Sequence, residues 1–544
     1  MTQGTTDAPV DARERVPARG GTDPKVWLLA TAGALAVLVA NVGGIAAGDD
    51  GVGYRAIADS LLRGDGLGYF LERPLTVWPP LWPALMAGIA KVTPLDPLGA
   101  AVLLNAVTTF VAVLVAHRLL ARCVRDPRLV LLGTAVVALG GSTVGFGHLL
   151  MTDFAFAVVV MCWLLALMNF RESGRLSWLL GAAALVWLGF GLRYVAVVLV
   201  ATGGLWLLLD GGRATGADAP HRRFVLRLRD GVAYGAVAVV VPVLWMLRNR
   251  AEDGTLLGPR YASARGPVDN AFDILATLGR FLLPGVGNGF TKVWAAVALV
   301  ALVAALVLAL KVLAARAAAG TGGVVAQSWR VLGGQSGLLL LAAGLYLLYM
   351  LYIRSTTALN QLDLRLLNPA YLPLLVLGLV LVDRTAEVPP QGESPWWRGS
   401  YAAALVWGAA NVLAGLVAVA LFATGNPYFT GNYESDTFDR VRANAALDRI
   451  PADCRVVSNL PNALYPELEA RWSPRRTGLE SDEGVDDLEE LLPTLAARRT
   501  CLVWVDEEPR YGHLWSLQQL RDRVDLQQVA RDGDVTVYVM APRT

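Results

Sequence analysis

Two adjacent acids, Asp49 and Asp50, stand where an apolar run of membrane-spanning length ends. A carboxylate at such a point can take a proton from a hydroxyl arriving from water. A second acid, Asp153, opens a later apolar run in GHLLMTDFAFAVVV, with His148 five residues before it. Three arginines sit near the ends of further runs: Arg193 in LRY, Arg248 in WMLRNR and Arg365 in DLRLLNP. Guanidinium groups grip phosphate bidentately, which a phosphate-bearing lipid at this interface requires. Asn249, Arg260 and Tyr261 in the segment after Arg248 extend the set. Each residue alone has a plainer reading, as a solvated loop acid, a carboxylate at a helix N-terminus or a snorkelling arginine. Gathered on one side, they read as a site.

Other chemistries lack their residues. There is no CxxC, HExxH or GxSxG, and only four His occur in 544 residues. A metal, if the site takes one, would rest on Asp153 and His148 and be Mg²⁺ or Mn²⁺ rather than zinc. A net charge of +2 with no basic aromatic-interleaved patch gives no sign of nucleic-acid binding.

The elements that must position these groups are mostly membrane spans. The chain is 55% apolar and only 17% charged, with mean hydropathy +0.48, and its apolar residues cluster in long blocks. Residues 1–24 are polar and expected to be disordered. Apolar blocks follow at roughly 25–47, 99–117, 129–142, 152–170, 177–191, 194–210, 231–247, 293–314, 335–353, 366–383 and 400–423. That gives about eleven spans in a membrane domain over 25–423. The pair at 177–210 is divided only around Leu192 and Arg193, and merging it would invert everything downstream. Arginines at 13, 15 and 19, at 118, 122, 125 and 128, and at 222, 223, 227 and 229 fall on one side, which the positive-inside bias makes cytoplasmic. The first loop (48–98), residues 248–292 and everything after 423 then lie outside the cytoplasm.

Within that first loop Tyr54, Ile57, Ala58, Leu61 and Leu62 recur at helical spacing, with Arg55, Asp59 and Arg63 on the opposite face. The spacing predicts an amphipathic helix lying along the membrane surface. Gly64-Asp65-Gly66 stops it, and WPPLWP turns the chain back.

Past residue 423 the composition becomes that of a soluble domain. Strands are expected at Cys454–Asn459, Cys501–Val505 and Val535–Met540, and helices at Asp482–Arg498 and Leu514–Val524. This alternation predicts a small extracytoplasmic α/β domain over 424–544 with a mainly parallel sheet. Outside the cytoplasm thiols oxidise, and neighbouring parallel strands starting in register could pair Cys454 with Cys501.

The order span, acid, Tyr, surface helix, G-x-G turn and Pro-Pro re-entry resembles the first loop of the GT-C glycosyltransferases. The branch it resembles holds the protein O-mannosyltransferases and the lipid A aminoarabinose transferase. Their loop opens Asp-Glu-x-x-Tyr; here it reads Asp50-Gly51-Val52-Gly53-Tyr54, with Gly51 in place of the Glu. The W-x-x-R-N at Arg248 and the R-x-x-x-P at Arg365 are similar to patterns of the same family. The resemblance implies a second active-site acid at Asp153. It also implies a membrane glycosyltransferase taking a sugar from a polyprenyl-phosphate donor to a glycan, lipid or protein acceptor, with inversion. Asp50 would be the catalytic base, and Tyr54 and the arginines would bind substrate. The rival is a transporter or flippase of lipid-linked glycans. Such proteins often carry internal repeats; none is present here.

Overall fold

The computed structural model describes residues 23–69, 73–211, 220–282, 290–319, 323–389, 394–424, 436–478, 481, 483–485, 487–506 and 512–543. The expected disordered tail, except for its last two residues, and the side chain of Asp49 lie outside that description. Eight described helices are long and apolar enough to cross a membrane, and four shorter apolar ones accompany them. The eleven expected spans thus resolve into eight long helices and three short ones: α1 (Pro24–Ala40), Leu176–Leu192 and Tyr194–Leu209. The last two are separated by extended backbone at Arg193. The fourth short helix, α3 (Leu81–Val92), begins within WPPLWP.

Local chemistry explains where the spans begin and end. Asp23 caps α1 by accepting from the Lys25 amide, with Pro24 at the first position. The helix stops at Ala40, short of the expected Ala47, and the next segment turns through Gly44 at φ 98. Ala46 then lies in an isolated β-bridge, and Gly48 is extended. The Ala46 amide donates to the His148 carbonyl at 2.9 Å, and the Leu150 amide to the Ala46 carbonyl at 2.9 Å, forming a parallel bridge. After it α2 (Asp49–Arg63) begins on Gly48, so Asp49 and Asp50 occupy a first helical turn, where the dipole favours negative charge. The helices α4 (Pro97–Cys123), α5 (Pro127–Leu139), α6 (Gly141–His148) and α7 (Asp153–Ser173) follow. Of the long helices α7 is the most enclosed, burying Phe154, Phe156, Trp163 and Phe170, whereas Thr291–Ala318 and Pro395–Ala423 stay largely uncovered, as lipid-facing spans do.

Two expectations for the C-terminal residues are corrected. The five-stranded sheet has the order β4-β3-β5-β7-β6, formed by β3 (Arg455–Ser458), β4 (Arg471–Trp472), β5 (Thr500–Val505), β6 (Val524–Asp532) and β7 (Val535–Pro542); β1 (Gly68–Tyr69) and β2 (Arg73–Pro74) form a separate hairpin. Strand β3 runs parallel to β4 and β5, but β7 is antiparallel to both β5 and β6, so the sheet is mixed. The second expected helix shortens to Leu517–Arg521, and Val524 starts β6. A register shift between Gln528 and Ala530 breaks the alternation of that strand, which is why periodicity missed it. Cys454 and Cys501 are joined in a disulfide, with Cα atoms 5.7 Å apart.

The amphipathic helix α2 forms where its spacing predicts, and its polar face is covered by the C-terminal residues. The Tyr465 hydroxyl donates to Asp59 at 2.5 Å, Arg55 lies over the Tyr465 ring at 5.9 Å, and Arg63 reaches Glu469 at 3.6 Å. Arg55 and Asp59 form the expected i,i+4 pair at 3.7 Å.

Candidate active site

Four elements bring five of the sequence-selected residues together. Asp50 and Tyr54 come from the first turns of α2, and Asp153 opens α7. Arg193 stands in the break after Leu176–Leu192, and Arg365 lies in the first turn of Leu364–Arg384, which Asp363 caps. Asp153 is 2% exposed and paired with Arg193 at 3.1 Å. Arg365 spans both acids, with Nη1 3.4 Å from Asp50 and Nε 3.9 Å from Asp153. Its Nη1 also meets the Met151 sulfur at 3.1 Å, a contact that nothing in the sequence signals.

The two carboxylates are not equivalent. The Asp50 side chain keeps 27% of its surface accessible while that of Asp153 keeps 3%, so only Asp50 can meet an incoming hydroxyl. Asp153 instead holds two guanidiniums in place. Tyr54 is fully buried and edge-on to Trp78, with ring centroids 5.7 Å apart. Burial, and after it the Asp50 charge, push its phenol up to about 12, so it stays protonated.

Glycines permit this packing. A Cβ on Gly53 would stand 2.7 Å from the Trp78 ring. One on Gly51 would stand 3.1 Å from the Leu150 carbonyl and 3.2 Å from the Leu150 side chain. The position where the GT-C loop has Glu therefore lies against the segment that leads to Asp153, too tightly for a side chain without a shift.

Of the other candidates, Arg260 lies within electrostatic reach of Arg193, and the rest lie elsewhere. Arg248 donates to the Leu75 carbonyl and sits 3.7 Å from Glu252. Asn249 is fully buried and donates to the Tyr194 hydroxyl at 3.2 Å and the Leu256 carbonyl at 3.1 Å. Tyr194 in turn donates to the Thr76 carbonyl at 2.8 Å, so Arg248 and Asn249 anchor the loop ahead of WPPLWP. Tyr261 packs under Arg475 at 5.4 Å, and the next amide, of Ala262, donates to Glu483 at 2.9 Å. Its place is a joint with the C-terminal residues. Arg260 donates to the Leu257 carbonyl at 2.8 Å and is exposed, within electrostatic reach of Tyr194, Tyr349 and Arg193. Among the described residues no carboxylate lies within ion-pair distance of it.

His148 is buried in a different setting. Its Nδ1 lies 3.1 Å from the Asn41 amide oxygen, and its ring stacks on Phe422 at 4.3 Å. Among the described residues no three His, Cys, Asp or Glu side chains gather as a metal-ligand set. Asp50 and Asp153 each face a guanidinium instead of turning together toward a cation. Among the described residues this arrangement does not fit a divalent ion, and no step is assigned to one.

No family model matches the chain, and no curated protein does. Solved structures do match. ArnT from Cupriavidus metallidurans bound to undecaprenyl phosphate aligns over 95% of this chain and 98% of its own, at TM-score 0.54 and 13% identity. The Archaeoglobus fulgidus oligosaccharyltransferase aligns over 87% of this chain and 68% of its own, at TM-score 0.46 and 11% identity. The arabinosyltransferase EmbB from Mycobacterium smegmatis covers 80% of this chain and 44% of its own, at TM-score 0.38 and 15% identity. The ArnT alignment shows that this multi-pass membrane chain has the GT-C fold.

Proposed function

We propose that the chain is an inverting glycosyltransferase that moves a sugar from a polyprenyl-phosphate donor to an acceptor hydroxyl on a glycan, lipid or protein. The observation that carries this reading is the division of charge in the site. Asp50 presents an accessible carboxylate, and Arg260 presents a cation without an acidic partner among the described residues. The ArnT structure, which has the same fold, is described as bound to undecaprenyl phosphate, a ligand of the class proposed here.

Asp50 takes the proton of the acceptor hydroxyl as that oxygen attacks the anomeric carbon. The bond from carbon to phosphate oxygen breaks, and the lipid phosphate leaves with the electron pair. Arg260, with Arg193 within electrostatic reach, stabilises the charge growing on that phosphate. Asp153 and Arg365 hold this arrangement, and protonated Tyr54 closes its floor. The test uses membranes containing the protein and polyprenyl phosphates carrying radiolabelled sugars. Label should move from the lipid into an acceptor product; label that only changes leaflet on intact lipid would make the chain a flippase.

The reading places the site on the outer face of a prokaryotic cytoplasmic membrane, with the N-terminus inside and the C-terminal sheet outside. Gly66, at φ 83, and Gly478, where a Cβ would stand 2.6 Å from Tyr261, are poor places for a reporter cysteine. Asp65→Cys and Glu490→Cys should react with an impermeant thiol reagent in intact cells, and Arg175→Cys should not. The opposite pattern would put the site on the cytoplasmic face.

A further inference from the structure

Three polar side chains are buried where α1, α4 and α6 meet: Asn41, Asn105 and His148. Amides in such surroundings persist only when their hydrogen bonds are made. Asn105 Nδ2 donates to the Gly147 carbonyl at 3.1 Å and the Leu149 carbonyl at 2.9 Å. Asn41 Nδ2 donates to the Val37 carbonyl at 2.7 Å and again to Gly147 at 3.1 Å. With its nitrogen spent on carbonyls, Asn41 turns its oxygen toward His148 Nδ1, 3.1 Å away.

The carbonyls held this way lie at the C-terminal end of α6, where a helix leaves its last acceptors without partners. The same short segment pairs with Ala46 in the parallel bridge. Asp50 stands four residues past Ala46, and Asp153 four residues past Leu149, its bridge partner. The two acids that Arg365 spans therefore leave the bridge from a common register. We propose that Asn105, supported by Asn41 and His148, is a positioning residue for catalysis: it fixes the bridge, and so the placement of Asp50 relative to Asp153 and Arg365. The inference rests on the reading of Asp50 as the base.

The test is Asn105→Leu in the full-length protein in membranes or detergent, which removes both donors at similar volume. A displacement near 1 Å at a reacting group costs on the order of a hundredfold, so kcat should fall about 10- to 100-fold. Donor KM should stay within about twofold, because no donor-binding group is touched. Hydrogen exchange at the Ala46 and Leu150 amides should quicken while the interior of α7 keeps its protection. Asn105→Ser, which keeps one donor, should recover part of the rate, and it carries the same reading if the leucine variant does not fold. Unchanged kcat would overturn the proposal, and so would a rate loss matched by an equal loss of donor binding. Asp50→Asn runs beside it. An active Asp50→Asn sinks the reading of the base, whereas an inactive one beside a fully active Asn105→Leu sinks only the positioning role.

Discussion

Asp50→Asn should lower turnover by about a hundred- to ten-thousand-fold, the usual loss for a general base, while donor lipid still binds. The substitution keeps the shape of the side chain and an oxygen for Arg365, 3.4 Å away, but it cannot take a proton. Donor affinity measured on monodisperse protein should therefore hold while kcat collapses. Asp153→Asn acts differently. That carboxylate is closed off from any acceptor and is paired with Arg193 at 3.1 Å, so its loss leaves a partly buried guanidinium without its counter-charge. A lowered thermal transition should accompany its loss of rate, a signature that Asp50→Asn should lack. Asp49→Asn is the neighbouring control and should be mild. An active Asp50→Asn enzyme ends the proposal, and a dead Asp49→Asn beside an active Asp50→Asn moves the base one residue back.

How much of this was legible beforehand depends on the range of the interaction. The spans, the helix after Asp50 and the pairing of Cys454 with Cys501 rest on composition, local periodicity and compartment, all of which a sequence displays. Asp153, Arg193 and Arg365 could be selected because charge at membrane depth is costly and seldom idle, and Asp50 and Tyr54 because the opening of the first loop resembles that of the GT-C enzymes. Their division of labour could not. Arg365 reaches Asp50 across 315 residues of chain, and Arg248, equally conspicuous in sequence, spends its fork on the Leu75 carbonyl. The closure of α2 by Tyr465 spans still more of the chain, 406 residues. The Asn105 contacts left one readable trace, an amide inside an apolar run, with no charge to mark it. Strand β6 was hidden by its own bulge.

Arg260→Ala and Arg365→Lys should separate the two jobs that arginines do here. Arg260 has no acidic partner among the described residues, so its guanidinium is available to phosphate. Hydrogen bonds to charged groups are worth about 1.5–3 kcal/mol, so Arg260→Ala should raise donor KM roughly 10- to 150-fold. Stability should barely change, because an exposed side chain held by one carbonyl contributes little to the fold. Arg365 presents the reverse case. It touches Asp50 through Nη1 and Asp153 through Nε, and a single ammonium cannot stand at both places. Arg365→Lys should therefore leave Asp50 poorly placed and cut kcat about a hundredfold, with donor KM nearly unchanged. Steady-state kinetics at saturating and limiting donor reads both effects in one experiment. If Arg365→Lys raised KM and Arg260→Ala lowered only kcat, the phosphate would sit over the paired acids and the assignment of the two arginines would be exchanged. If both variants turned over normally, neither would touch the reaction, and Arg260 would be an interfacial arginine holding a lipid headgroup.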